Sequence, residues 1–421
     1  MRVALVASSF LPEPGRLERR VDMLARGLAQ RGAEVEVLTQ RPGRPTVELR
    51  EGVTIRSFPA VAGPLRFAVA PKLRERLRMT SQAFDVIDVH TRQAPLALAA
   101  ASARIRRLVL TPCASLDGFL GWHHTRATRA LLAAAPHIVC RSEIERDLLC
   151  ASVPGATSRA RVVPDGVELE ALFSAQPFAT EGIVVLAVDR LDRATGVGRA
   201  IAAMASLDPE FRLVVVGDGP ARERLSAFAA DLRISSRVQF AGAVSDAVLC
   251  RWLRTARVVV TLPGQQSSGA VVAEACAAGV SVVASDLPSQ RQAAEQVGGG
   301  VVFVPPRGSP LDVADAIEEA AKLSVIPNSQ MLAASAPSWE SAIDATWELY
   351  RDIVDDPRPH ERELAVREVD VTSQLEAGGE PLALPTPIVP AQAAGGPAGE
   401  SSWWPTRRRS DHRVSGAHRW R

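Results

Sequence analysis

The sequence predicts an α/β protein: two Rossmann-like, doubly wound parallel-sheet domains followed by a disordered C-terminal tail. Three observations carry this expectation. Short apolar runs alternate with amphipathic stretches twice along the chain, the runs are Val-rich on both faces, and from Asp355 both patterns give way to a segment rich in Pro, Gly, Ala and Glu. At 421 residues the chain is too long for one small core; at ~100–200 residues per domain, two folded domains and a tail account for it.

Residues 3 to 8 read as the first buried strand. The opening MRVALVASSFLPEPG imitates a short secretory leader, with one Arg before an apolar stretch. Pro-Glu-Pro-Gly interrupts it and an amphipathic helix follows, so a cytoplasmic protein is expected. Leu17, Val21, Leu24 and Leu28 form the stripe of a helix buried on one face, and Gly32 stops it. Val35 and Val37 then open the strand AEVEVLT, and strand, helix, strand in this order imply a right-handed parallel unit. FDVIDVH, RLVLT and HIVCRS continue a first domain over 1–165. The strands IVVLAV, RLVVVG, RVVVTL, VSVVAS and VVFV, separated by helical stretches such as PARERLSAFAADL and GAVVAEACAAG, build a second over 166–335. A helix over 336–354 follows, and 355–421 lacks the periodicity to order itself. Two such domains place a ligand crevice at the carboxyl ends of their strands.

Composition narrows the function. Lys+Arg is 49 against Asp+Glu 47, too small an excess for a nucleic-acid binder that works through bulk charge. The five cysteines show no CxxC pair, so neither a disulfide framework nor a metal site is expected. No apolar run approaches the ~20 residues of a membrane-spanning helix. Two basic features remain. Around residues 64–79, Val69, Leu73 and Leu77 share a helical face flanked by Arg66, Lys72, Arg74, Arg76 and Arg78. This is either a surface helix with a solvated face or a peripheral contact with the anionic inner face of a membrane. The terminus SSWWPTRRRSDHRVSGAHRWR is either a solvated tail or a tether to an anionic surface or a protein partner.

Several stretches resemble, in order, the GT-B glycosyltransferases of retaining family four, in the group of glycogen-synthase-like and phosphatidylinositol-mannosyltransferase-like enzymes. In the second half these are VPDGVELEALF, VDRLDRATGV, VVVGDGPARERL, VQFAGAVSDAVL, PGQQSSGAVVAEACAAGVSVVASD and SWESAIDATWELY; in the first, LARGLAQRGAEVEVLT is similar. The resemblance covers roughly residues 1–354. It alone implies that the helix over 336–354 crosses back to the first domain. It also implies a UDP- or GDP-linked sugar as donor, no cofactor and no metal. Arg190, at the carboxyl end of a buried strand, would clamp the diphosphate, for which a guanidinium fork is apt. Glu274 would accept from the ribose hydroxyls, Gln266 would contact the donor sugar, and Gly15 belongs to the phosphate loop. The helix start at Gly269 and Ala270 offers free N–H groups to phosphate on physical grounds alone. His90 is the remaining catalytic candidate.

The departures from the family pattern gather at the donor site. Thr195 stands where the family has lysine; with lysine present only at Lys72 and Lys322, a coding bias toward Arg does not explain a threonine. Gln266 replaces the first glutamate of a pair, Arg16 the second glycine of the phosphate loop, and Cys113 a histidine. The expected function is therefore sugar transfer, with retention, to a carbohydrate, lipid or natural-product acceptor from a degenerate donor site. The alternative is a catalytically impaired binding or scaffold subunit of an active transferase, with a sugar-nucleotide epimerase as a minor third. Because the segment after Asp355 has no apolar periodicity, truncation there is expected to leave the thermal midpoint nearly unchanged in a calorimetric scan. A fall of many degrees would show that it packs on the domains.

Overall fold

A computed structural model describes residues 1–12, 15–59, 70–80, 82–91, 96, 99–100, 105, 107–113, 132–133, 135–153, 155–191, 196–264, 269–323 and 335–355. All of these lie in one compact unit, Met1–Gly378. Thr195, Gln266, Arg66, Val69 and the segment from 356 onward lie outside the described residues.

In the first half, β1 (Arg2–Ala7) is buried from Val3 onward. It leads into α1 (Arg16–Gln30), whose Leu17, Val21, Leu24 and Leu28 sink into the core beside the sheet. β2 (Glu34–Arg41) returns parallel to β1. Then come β3 (Thr46–Arg50), β4 (Val53–Pro59), α2 (Pro71–Thr80), β5 (Val86–Thr91), β6 (Leu108–Pro112), β7 (His137–Cys140), α3 (Glu143–Ser152) and β8 (Ala160–Val162). The sheet order is β3-β4-β2-β1-β5-β6-β7-β8. The wholly parallel expectation needs one correction, since β3 pairs antiparallel with β4. Only Glu51 and Gly52 join these strands, with φ of 49° and 79°. Two left-handed residues make the tight hairpin turn that matches strand twist, whereas a parallel return would need a crossover of a dozen residues.

The second half holds α4 (Leu169–Ser174), β9 (Ile183–Val188), α5 (Val197–Met204), β10 (Phe211–Val216), α6 (Arg222–Asp231), β11 (Val238–Gly242) and α7 (Asp246–Thr255). β12 (Val258–Thr261), α8 (Ala270–Ala277), β13 (Ser281–Ser285), α9 (Pro288–Val297), β14 (Val301–Val304) and α10 (Pro310–Lys322) follow. Every neighbour pairs parallel in the order β11-β10-β9-β12-β13-β14. This is the doubly wound arrangement in which the chain reverses direction across the sheet between β9 and β12.

α2 corrects a second expectation. Leu73 and Leu77 are both fully buried in the core beneath the first sheet. The apolar stripe that made this helix a candidate for lipid insertion is spent on the protein's own core. Lys72, Arg74 and Arg78 remain on the exposed face, and Arg76 turns to Glu36 at 3.3 Å.

The last helix, α11 (Trp339–Asp355), packs on α1. Ile343 lies so close over Gly27 that an added Cβ there would meet its Cδ1 at 2.3 Å. Arg31 Nε donates to Asp344 at 2.9 Å, and Arg107 donates to the Val354 carbonyl at 2.9 Å. At the start of the helix the two crossings between domains meet. Val167 pairs with Ser338, and a Cβ at Gly166 would stand 2.3 Å from the Trp339 nitrogen. The Tyr350 hydroxyl donates to buried Asp88 at 2.6 Å, and Thr111 donates to the same carboxylate at 2.8 Å.

His90 completes this buried group. Its side chain is wholly enclosed, and Nε2 stands 3.3 Å from Asp88 Oδ2. Burial opposes a charge on the imidazole, but Asp88 overcomes it and raises the pKa from 6.5 to about 9. Burial likewise pushes the Asp88 carboxyl up, and His90 with the two hydroxyl donors brings it below its usual value.

Two expectations follow from this packing. Gly166→Ala sets a methyl group against backbone, so it should cost ~1–3 kcal/mol or more in denaturant unfolding, as overpacking does. His90 has its folded pKa raised, so the stability it contributes is complete below about pH 6.5 and is lost as pH rises through about 9. Melting temperature measured across that window should fall in the wild type and fall less in His90→Gln.

Candidate functional site

Both sheets present their carboxyl edges to one cleft, and the residues there follow from the connections. β1 ends at Ala7, and the chain turns through Gly15 into α1, so the first turn of α1 sits at the carboxyl edge of the first sheet. Gly15 is the N-cap, in extended conformation, and a Cβ on it would come within 2.2 Å of the Glu18 carboxylate. Glu18 folds back over this turn and accepts from Ser9 Oγ.

On the other side, Gly269 caps α8 with a left-handed φ of 69°. A side chain is excluded there twice over, by conformation and by the Ser289 carbonyl 2.6 Å from any Cβ. Ala270 begins the helix, half-buried, and its first N–H groups have no helical acceptor. One turn further in, Glu274 is only 7% exposed.

Arg190 follows β9 and is exposed. Its backbone is held from both sides, because Asp189 N–H donates to the Val216 carbonyl and Leu191 N–H to the Asp218 carbonyl. Its side chain makes no hydrogen bond or ion pair with any described residue, so an unpaired guanidinium is offered on a fixed support. Beside it, at the point where the strand order reverses, lies a small crevice lined by Asp189, Gly196, Ala200, Thr261 and Leu262. Such reversals are where doubly wound sheets take their ligands.

Nothing in the sequence singled out Arg199. It donates to the Leu262 carbonyl at 2.9 Å, Ser285 Oγ at 3.2 Å and the Pro305 carbonyl at 3.2 Å. It thus ties together the carboxyl ends of β12, β13 and β14. No carboxylate among the described residues pairs with it, and burial lowers its pKa. The donor-side edge therefore carries two cations without counter-ions.

The two halves meet through charge. Arg16 holds Glu274 with both nitrogens of its fork, at 2.8 Å to Oε2 and 3.2 Å to Oε1. Arg19, one turn along α1, reaches Glu274 at 3.5 Å, Glu168 at 3.5 Å and Asp246 at 3.4 Å. Burial weakens the Arg19 charge, but these carboxylates outweigh it and raise its pKa. Two cations of the first half thus face three anions of the second. Arg16 therefore commits its fork to Glu274. It occupies the carboxylate that the resemblance assigns to ribose.

One residue further, Arg20 is fully buried, pairs with Asp165 and donates to the Val163 carbonyl at 3.2 Å. A signal for it was present, because position 20 falls inside the apolar stripe of Leu17, Val21 and Leu24, where a charge needs a partner. For Arg19, Glu168 and Asp246 the sequence holds no such sign.

The structure does not bring His90 to the cleft wall, since its imidazole is enclosed against Asp88 beneath the strand end. Cys113, just past β6, is half-buried and donates to the Thr111 carbonyl at 3.4 Å. Among the described residues no group of His, Cys, Asp and Glu is placed to hold a metal ion, and no helix is long and apolar enough to cross a membrane.

Known proteins match this chain in both halves. The family described as glycosyltransferase family 4 matches residues 17–171, and that described as glycosyl transferases group 1 matches 170–339. A phosphatidyl-myo-inositol mannosyltransferase of Mycolicibacterium smegmatis is 29% identical over 359 residues, 79% of this chain and 86% of that protein. A D-inositol 3-phosphate glycosyltransferase of Acidothermus cellulolyticus is 31% identical over 340 residues, 68% of this chain and 75% of that one. Among solved structures, sucrose-phosphate synthase from Thermosynechococcus elongatus superposes with a TM-score of 0.67 at 22% identity, covering 84% of this chain and 98% of that one. Anabaena HepE in complex with UDP and glucose does so with 0.67 at 18%, covering 84% and 100%. With consecutive family matches spanning both sheets and a relative this similar over three quarters of its length, the chain belongs to the group 1, family 4 glycosyltransferases and is a GT-B transferase.

Proposed function

We propose that the protein transfers a sugar, with retention, from a UDP- or GDP-linked donor to a hydroxyl of a carbohydrate, lipid or natural-product acceptor. The observation that carries this is the uncompensated positive charge at the carboxyl edge of the second sheet. Among the described residues Arg190 is exposed and pairs with none, Arg199 donates to neutral groups, and the start of α8 lies on the same edge. An anionic ligand is the occupant such an edge lacks.

In the reaction, the bond from the anomeric carbon to the donor phosphate breaks through an oxocarbenium-like state while charge gathers on the leaving diphosphate. Arg190 and the N–H groups at Gly269 and Ala270 would hold that charge. Glu274 would orient the ribose and Gln266 the sugar, with Gly15 giving the diphosphate room on the opposite wall. No resident cofactor enters this reading, since the nucleotide sugar is a substrate. The HepE complexes support the donor class, and the similarity to a phosphatidyl-myo-inositol mannosyltransferase and a D-inositol 3-phosphate glycosyltransferase makes an inositol phosphate or its lipid the first acceptor to try. Any contact with an anionic membrane would be electrostatic, through Lys72, Arg74 and Arg78.

The second reading, a binding or scaffold subunit of an active transferase, draws on one specific observation: Glu274 is already satisfied by Arg16. The basic tail would then serve the protein partner.

Calorimetric titration of UDP and GDP separates the readings from any other. One of them should bind, and Arg190→Ala should weaken it by ~1–3 kcal/mol, the usual worth of a hydrogen bond to a charged group. Binding of neither, to the wild type or to a variant in which Arg16 no longer covers Glu274, would remove the donor-site assignment. Turnover is then read by restoration. If the double variant Thr195→Lys with Gln266→Glu transfers or hydrolyses donor faster than a slow parent, the transferase reading stands with an impaired site. A variant and parent that bind nucleotide without any turnover favour the subunit.

A further inference from the structure

The Arg16–Glu274 contact has a geometry that bears on how a donor binds. A carboxylate presents two oxygens along one edge, and a guanidinium fork satisfies both at once. Vicinal hydroxyls of a ribose offer the same pair of donors to the same edge. Glu274 cannot serve both, and here the fork has it, at 2.8 and 3.2 Å.

Nothing in α1 itself accounts for a cation at this position. Arg16 is the first residue of the helix, where the dipole disfavours positive charge. What offsets that cost is the nearly buried carboxylate of Glu274 on the other domain. The two arginines also differ in their freedom. Arg19 is 14% exposed and held by three carboxylates, whereas Arg16 is 37% exposed and its one ion pair among the described residues is with Glu274. Arg16 can therefore swing into solvent while Arg19 stays beside Glu274, at 3.5 Å.

We infer that Arg16 is a displaceable occupant of the ribose subsite, and that a nucleotide binds by exchanging its 2′,3′-diol for the guanidinium on Glu274. This rests on the reading of Glu274 as the ribose acceptor. Two consequences follow. In the empty protein the domains are held together across the cleft with the buried carboxylate compensated. On binding, the diol must replace an ion pair, so a nucleotide without the diol gains nothing from Glu274.

The test is calorimetric titration of the full chain and of Arg16→Gly and Arg16→Gln with UDP, GDP and their 2′,3′-dideoxy counterparts. The glutamine variant retains a good helix former at the start of α1. Both variants should bind the diol-bearing nucleotide about three- to tenfold more tightly, as expected from removing a partly exposed ion pair. The dideoxy counterparts should show no such gain. Binding to the variants but not to the wild type would be the extreme form of the same result. Unchanged affinity would overturn the exchange. So would a parallel gain for diol and dideoxy nucleotides, which would make Arg16 a mere obstruction. A parallel loss would place Arg16 on the diphosphate instead. If neither UDP nor GDP binds the wild type or either variant, the ribose assignment of Glu274 falls and the exchange with it.

Discussion

The placement of the two sheets depends on a buried ion pair. Arg20 projects from the apolar side of α1 and meets Asp165 in the segment that leaves the first sheet. Burial opposes both charges, yet each holds the other ionised, and Arg141 adds a second positive charge near Asp165. Removing one partner of such a pair typically costs about 3–5 kcal/mol, because the other is left charged and dry. The position of the next residues follows from it. Gly166 must pass the Trp339 backbone without a side chain, and Val167 joins Ser338 where the chain returns. Helix α1 therefore fixes the crossing with Arg20, reaches the second domain with Arg16 and Arg19, and supports its own sheet with the apolar stripe in which Arg20 lies.

That concentration of roles explains why the cleft is asymmetric. The wall from the first domain brings arginines that are neutralised by carboxylates of the second. The wall from the second brings Arg190 and Arg199, which no carboxylate among the described residues pairs with. An arriving dianion meets uncompensated charge on one side only, so its attraction to the site is set by the second domain. The first domain contributes through what it gives up, since its contacts to Glu168, Asp246 and Glu274 must loosen if the domains are to part.

The second sheet was legible because its strands are short Val-rich runs buried on both faces, each separated by a helix of ordinary length. In the first sheet the β3–β4 hairpin was not legible. Val47 and Leu49 point outward, 59% and 77% exposed, so alternation in TVELR marks the wrong face, and Glu-Gly is a weak turn signal. The stripe of α2 was seen and left open between a surface helix and a membrane contact, because periodicity shows that a face is apolar but not what covers it. At the site, Glu274 and Arg190 were legible from the collinear resemblance, and their backbone settings from strand ends and a helix start. The partner of Arg16 was not, because a contact spanning 258 residues depends on where two domains come to rest. His90 was placed at a strand end, which is correct, yet its side-chain direction is decided by Asp88 and a tyrosine from the last helix.

The route of α11 has a consequence for how this protein is made. The hydroxyl that satisfies Asp88 belongs to Tyr350, 262 residues later, and the side chain that fills the space over Gly27 belongs to Ile343. A ribosome working at about 5–20 residues per second emits the whole second domain before those groups appear. For that interval, on the order of ten seconds or more, the first sheet exists with a buried carboxylate lacking one of its donors and with the apolar face of α1 that Ile343 covers left open. The first domain to be synthesised is thus the last to be sealed, and its closure waits on the emergence of α11.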